Sequence, residues 1–89
     1  MKVTPTAIPG LLIIEPRVFS DPRGYFFESY NDQRFAAATG LAPAFVQDNH
    51  SLSHQHVLRG LHYQIKRPQA KLVRVTRGAA YDVAVDLRA

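Results

Sequence analysis

Tyr81, Val83, Val85 and Leu87 alternate with Asp82, Ala84 and Asp86 near the end of this 89-residue chain. A period of two sends successive side chains to opposite faces of an extended backbone, so Ala80 to Leu87 reads as a half-buried strand. Shorter segments repeat the theme. Leu11 to Ile14 is an apolar run between the Pro9-Gly10 turn signal and Pro16. Ser20-Asp21-Pro22-Arg23-Gly24 has turn chemistry, because proline presets φ and glycine tolerates positive φ. The aromatic-rich strand Tyr25 to Tyr30 follows it. Phe45 to Asn49, Val57 to Gln64 and Leu72 to Thr76 complete the set, with a polar loop over His50 to His56 and a tight connection at Arg77-Gly78. Only one segment reads as a helix: Asp32 to Thr39, capped by Asn31 and ended by Gly40. Short strands at turn-punctuated spacing predict a mainly β chain, a sandwich or a barrel, with one short helix.

The length and a 46% hydrophobic content predict a single small domain over residues 1–89. A chain of this size buries only about 60–65% of its unfolded surface, which leaves a thin stability margin. No cysteine is present to form a disulfide or a thiolate metal site, a composition that fits a cytoplasmic protein. No apolar run approaches the roughly 18 residues of a membrane span. The opening MKVTPTAIPG lacks a long apolar core and reads as mature sequence, not a signal peptide. Eleven Lys and Arg against seven Asp and Glu give a net charge of +4, which favours an anionic partner: a phosphate ligand, a nucleic acid or an acidic membrane. A strong strand at the very end leaves a sheet edge in need of cover, from another copy or from a longer fold.

The polar residues of the strand-like segments carry the chemistry. His62 follows Arg59 and Gly60 in VLRGLHYQ, and Lys71 opens the next segment. Strict alternation puts His62 with Leu58, Gly60 and Gln64, and Arg59 on the opposite face. Both can meet one ligand only if Gly60 marks a bulge or a close backbone approach. A histidine base beside a lysine cation suits removal of a carbon-bound proton next to a carbonyl, the cation sitting where the enolate oxygen gains charge. Equally, Lys71 can be a solvated strand end and His62 an ordinary surface residue. Arg23 and Arg59 can grip a diphosphate through paired hydrogen bonds, while Arg17, Arg67, Arg74 and Arg77 read as solvent-facing charges. Glu28 sits among large apolar residues and needs a partner. Phosphate-loop and dinucleotide glycine fingerprints are absent.

SDPRGYFFESYN, FVQDNHS, VLRGLHYQ, KLVRV and YDVAVDLR occur together, in the order found in dTDP-4-dehydrorhamnose 3,5-epimerases, and the chain resembles the N-terminal half of that family. The resemblance implies a cupin-type jelly-roll β-sandwich, here only its N-terminal part, usually dimeric through exchanged N-terminal strands. It implies conversion of dTDP-4-dehydro-6-deoxy-D-glucose to dTDP-4-dehydro-L-rhamnose, in dTDP-rhamnose and polysaccharide biosynthesis, with no metal and no organic cofactor. On matching positions, His62 resembles the base that takes the C3 and C5 protons, and Lys71 the group that stabilises the enolate oxygen at C4. Arg23, Glu28, Gln47, Asn49 and Arg59 match substrate-binding positions. The family's proton donor and the aspartate that orients its base belong to its second half. Tyr25, Tyr30, Tyr63 and Tyr81 do not match the donor's motif, so little epimerase activity is expected of this chain alone.

Three other functions compete: a non-catalytic nucleotide-sugar-binding fragment, a metal-binding cupin using His54 and His56, and a basic nucleic-acid binder. His54 and His56 are spaced to share one face of a strand, but they fall in a polar loop without a suitably placed third ligand. No nucleic-acid recognition motif is present, and steep salt dependence with generic DNA would mark such a binder. Elemental analysis after purification without chelators should find substoichiometric metal. One equivalent that is lost in His54→Ala would favour the metal-binding reading.

Overall fold

A computed structural model describes residues 1–88. They divide into two compact units: Met1–Ala42 together with the last residues from Ala84, and Pro43–Val83. The regular elements are mainly strands, with one short helix.

Two antiparallel hairpins occupy the first unit. β1 (Lys2–Pro5) pairs with β2 (Leu12–Glu15), with Lys2 opposite Glu15 and Val3 opposite Ile14. Lys2 Nζ lies 3.8 Å from Glu15 Oε2 across this register, an exposed pair of small energetic worth. The connection between the strands is closed by short-range bonds. Leu11 N–H donates to the Ile8 carbonyl at 3.1 Å around Pro9-Gly10, and Thr6 Oγ1 donates to the Leu11 carbonyl at 2.8 Å.

β3 (Val18–Asp21) and β4 (Gly24–Phe27) are joined by the two residues Pro22 and Arg23, with Asp21 opposite Gly24. The turn expected over Ser20 to Gly24 is therefore the hairpin loop. The strand read over Tyr25 to Tyr30 ends early, at Phe27, because Glu28 to Asn31 lead into the helix. Tyr25 and Phe27 stack on one face of β4, their ring centres 6.1 Å apart. That is the spacing of i, i+2 neighbours on a pleated strand.

α1 (Asp32–Thr39) forms over the residues expected of it, and both ends are locally sealed. Asn31 Oδ1 accepts from the Arg34 N–H at 3.0 Å, which satisfies one of the orphan donors of the first turn. Asp32 adds a negative charge beside the positive end of the helix dipole. Tyr30, just before the cap, meets Phe35 with ring centres 5.7 Å apart, the hydrophobic staple that fixes how the chain enters the helix. At the other end Gly40 takes a left-handed conformation (φ 71°) and donates its N–H to the Ala36 carbonyl. A side chain there would be strained. Among the described residues Phe35 is the one buried apolar side chain, and α1 packs against β1.

The strands read over Phe45 to Asn49, Val57 to Gln64, Leu72 to Thr76 and Ala80 to Leu87 are not formed. Alternation prepares a face, but a strand exists only where its backbone groups meet a partner, and isolated strands are not stable in water. None of these segments pairs, and their side chains stay open: Leu58 is 91% and Tyr81 96% exposed. β1 and β3 were missed for the opposite reason. Their four-residue ladders are too short for a pattern to stand out, and the partner across the turn makes them strands.

Asn31→Ala should therefore cost about 1 kcal/mol of stability, the usual worth of an N-cap. Asn31→Ser, which keeps a side-chain acceptor, should lie near the parent. Urea unfolding followed by helical circular dichroism measures both.

Candidate functional site

The candidate residues fall into both units, and each unit builds its share separately. In the first, Asp21 and Arg23 make a closed local pair. Arg23 Nη2 donates to Asp21 Oδ2 at 2.7 Å and Nε to the same oxygen at 3.2 Å, while the Arg23 backbone N–H donates to Oδ1 at 2.8 Å. One carboxylate thus closes the hairpin turn and holds the guanidinium. The Arg23 side-chain bonds, reinforced by its backbone N–H, hold the Asp21 carboxyl below its ordinary value of 3.8. An open hollow of about 230 Å³ beside the pair is lined by Asp21, Arg23, Gly24, Tyr25 and Phe26.

Glu28 has the partners its setting demands. Asn31 Nδ2 donates to Glu28 Oε2 at 3.3 Å, and Arg34 Nη1 lies 3.6 Å from Oε1. Asn31 therefore links the helix cap to this carboxylate. A second hollow, of about 210 Å³, is lined by Met1, Pro16, Arg17, Phe19, Glu28 and Arg34. There the Arg17 guanidinium lies 4.8 Å from the centre of the Phe19 ring, within cation–π range. Nearby, Tyr30 donates its hydroxyl to Asp32 Oδ1 at 3.1 Å. Desolvation, then that bond to a carboxylate, pushes the Tyr30 phenol up.

In the second unit Arg59 is tied to the loop before it. Its Nε donates to Ser53 Oγ at 2.9 Å and its Nη2 to the Leu52 carbonyl at 3.0 Å. Gln47 and Asn49 are brought together, Gln47 Nε2 donating to Asn49 Oδ1 at 3.3 Å. Gly60 departs from strand geometry at φ 107°, a region L side chains rarely adopt. A Cβ there would lie 3.6 Å from His62 Nδ1, so the imidazole folds back over this glycine. His62 and Lys71 are exposed, and neither side chain makes a hydrogen bond or ion pair among the described residues.

Reading the sequence found the candidates but missed the groups that hold them: Asp21 for Arg23, Asn31 and Arg34 for Glu28, Ser53 for Arg59. For Asp21 a signal existed. An aspartate two residues before the group it bonds is the usual Asx-turn arrangement. Ser53 left no such signal, because nothing in its spacing from Arg59 marks a loop that folds back. Among the described residues no group of three or more His, Cys, Asp or Glu side chains is placed to hold a metal, and no helix is long and apolar enough to cross a membrane.

The sequence profile of the dTDP-4-dehydrorhamnose 3,5-epimerases matches residues 5–89. The chain belongs to that family. It is 61% identical over 88 residues to the dTDP-4-dehydrorhamnose 3,5-epimerase of Pseudomonas aeruginosa, a match covering 99% of this chain and 49% of the relative. The Salmonella typhimurium 3,5-epimerase is 57% identical, with the same two coverages. A dTDP-4-dehydrorhamnose 3-epimerase of Streptomyces niveus is 44% identical over 99% of this chain and 43% of the relative. The chain thus spans about half the length of these family members, and no solved structure is a significant match.

The Asp21–Arg23 pair carries a pH dependence. A carboxyl held below its ordinary value contributes stability that is full above about pH 4 and is lost as pH falls through the folded-state value. Carboxyl NMR titration should find Asp21 below 3.8 in the parent, and Arg23→Gln should return it toward 3.8.

Proposed function

We propose that this chain supplies the N-terminal part of a cupin-type jelly-roll domain of a nucleotide-sugar 3,5-epimerase, and that the complete site acts on dTDP-4-dehydro-6-deoxy-D-glucose. The carrying observation is the family match over residues 5–89, together with relatives that bear the activity in their names.

In this reading the His62 imidazole takes the proton from the carbon next to the C4 carbonyl. The electrons move onto the carbonyl oxygen, and the Lys71 ammonium lies where that enolate charge develops. A proton returned to the opposite face completes inversion at C3, and the same cycle serves C5. Arg23 and Arg59 hold the diphosphate with paired donors. Glu28, Gln47 and Asn49 orient the rest of the substrate. No residue of this chain is assigned as the donor. The reaction uses no metal and no organic cofactor, because the base and the cation are side chains. The protein is cytoplasmic, binds neither nucleic acid nor membrane, and forms a homodimer by exchange of N-terminal strands.

A second reading, a nucleotide-sugar-binding fragment without turnover, is favoured by one observation. His62 and Lys71 are both exposed and unpaired among the described residues, whereas Arg23, Arg59 and Glu28 are held by neighbours. Positioning accounts for a large part of catalytic barriers, so an unfixed base binds without turning over.

Incubation with the dTDP-sugar in D₂O, followed by NMR, separates the two readings and the two carbons. Epimerase chemistry predicts deuterium at C3 and C5, lost in His62→Ala. Deuterium at C3 alone would match the 3-epimerase relative. Binding with no exchange at either carbon leaves the fragment reading.

A further inference from the structure

The chain contains two Asp-x-Arg sequences, and they fold alike. At Asp86-Leu87-Arg88 the Arg88 backbone N–H donates to Asp86 Oδ1 at 3.0 Å, its Nε to Oδ1 at 2.9 Å and its Nη2 to Oδ2 at 3.0 Å. At Asp21-Pro22-Arg23 the same three donors meet one carboxylate. In both, the carboxylate occupies the Nε/Nη2 edge of the guanidinium while the backbone bond closes the turn.

The two differ in what the rest of the guanidinium does. Arg88 Nη2 also donates to the Pro9 carbonyl at 2.6 Å, 79 residues away in sequence. A guanidinium carries five N–H donors in a rigid fork, so an aspartate on one edge leaves the other free for a further acceptor. Arg88 uses that capacity on a backbone oxygen. The Arg23 side chain is 91% exposed, with the same capacity turned to solvent beside the hollow lined by Tyr25 and Phe26.

We propose that Asp21 is a positioning residue: it fixes the Arg23 guanidinium by its inner edge, so that the outer edge is presented ready-oriented to the diphosphate of a nucleotide ligand. This rests on the reading of Arg23 as a substrate-binding group. Asp21 itself touches no ligand. Two effects of opposite sign act at the site. An arginine fixed before binding loses less rotamer freedom on binding. A carboxylate close to a diphosphate repels it, and exposure to water screens that repulsion. The proposal states that orientation outweighs repulsion.

The test titrates the 89-residue chain with dTDP and, separately, with thymidine, using the parent, Asp21→Ala, Arg23→Ala and the double variant. Asp21→Ala is expected to weaken dTDP about three- to tenfold, the range set by fixing one flexible side chain. Thymidine affinity should not change, and the double variant should bind dTDP no more weakly than Arg23→Ala. Tighter dTDP binding by Asp21→Ala would overturn the proposal, as repulsion would then dominate. Equal losses for dTDP and thymidine would also overturn it, since the role would be to hold the turn. If Arg23→Ala leaves dTDP binding unchanged, the reading of Arg23 fails first and the proposal falls with it. A ligand-free measurement stands beside these: NMR of the Arg23 guanidinium should show restricted rotation in the parent and free rotation in Asp21→Asn. Free rotation in the parent would overturn the proposal whatever the ligands do.

Discussion

A strand's backbone N–H and C=O groups must find partners, and in this chain they find them where the partner lies a turn away. β1 reaches β2 through a connection tied by Thr6 and Pro9-Gly10, and β3 reaches β4 through two residues. Closing so short a loop costs little entropy, which a four-residue ladder and its side chains offset. The segments after Ala42 do not pair, even where the Arg77-Gly78 connection brings two of them close in sequence. Their alternation is at least as clear as that of the hairpins, yet they remain unpaired. The curated relatives are about twice as long as this chain.

The same division runs through the candidate site. Groups held by residues close in sequence are oriented: Arg23 by Asp21, Glu28 by Asn31 and Arg34, Arg59 by the 52–53 backbone and hydroxyl. Groups whose fixation needs long-range pairing are not. His62 and Lys71 lie on segments that lack a ladder, so no sheet register sets their separation. The groups proposed to grip the ligand are thus held by the local structure, and the groups proposed to transfer protons are not.

What could be read from the sequence follows from this. The helix was legible to its ends, because the Asn31 cap and the terminal Gly40 lie within ten residues of one another. The hairpin turn was legible from Asp21 to Gly24 for the same reason. Strand pattern over 57–64 and 80–87 was equally visible but reports only which faces could be buried, not whether a partner is present. His62, Lys71, Arg23, Arg59 and Glu28 came from residue type and position and Gln47 and Asn49 from motif order, and neither tells who holds whom. Asp21 was nevertheless within reach, two residues before the arginine it grips. The repeat of that arrangement at Asp86 and Arg88 shows a single local rule at work twice.

Amide hydrogen exchange of the chain, resolved residue by residue, tests the division between local closure and unmet pairing most directly. The account predicts protection on the paired amides of β1 to β4 and in α1, and open-chain exchange over residues 57–64, 72–76 and 80–87. Protection in those later segments comparable to that of the hairpins would contradict it, because they would then have found partners of their own.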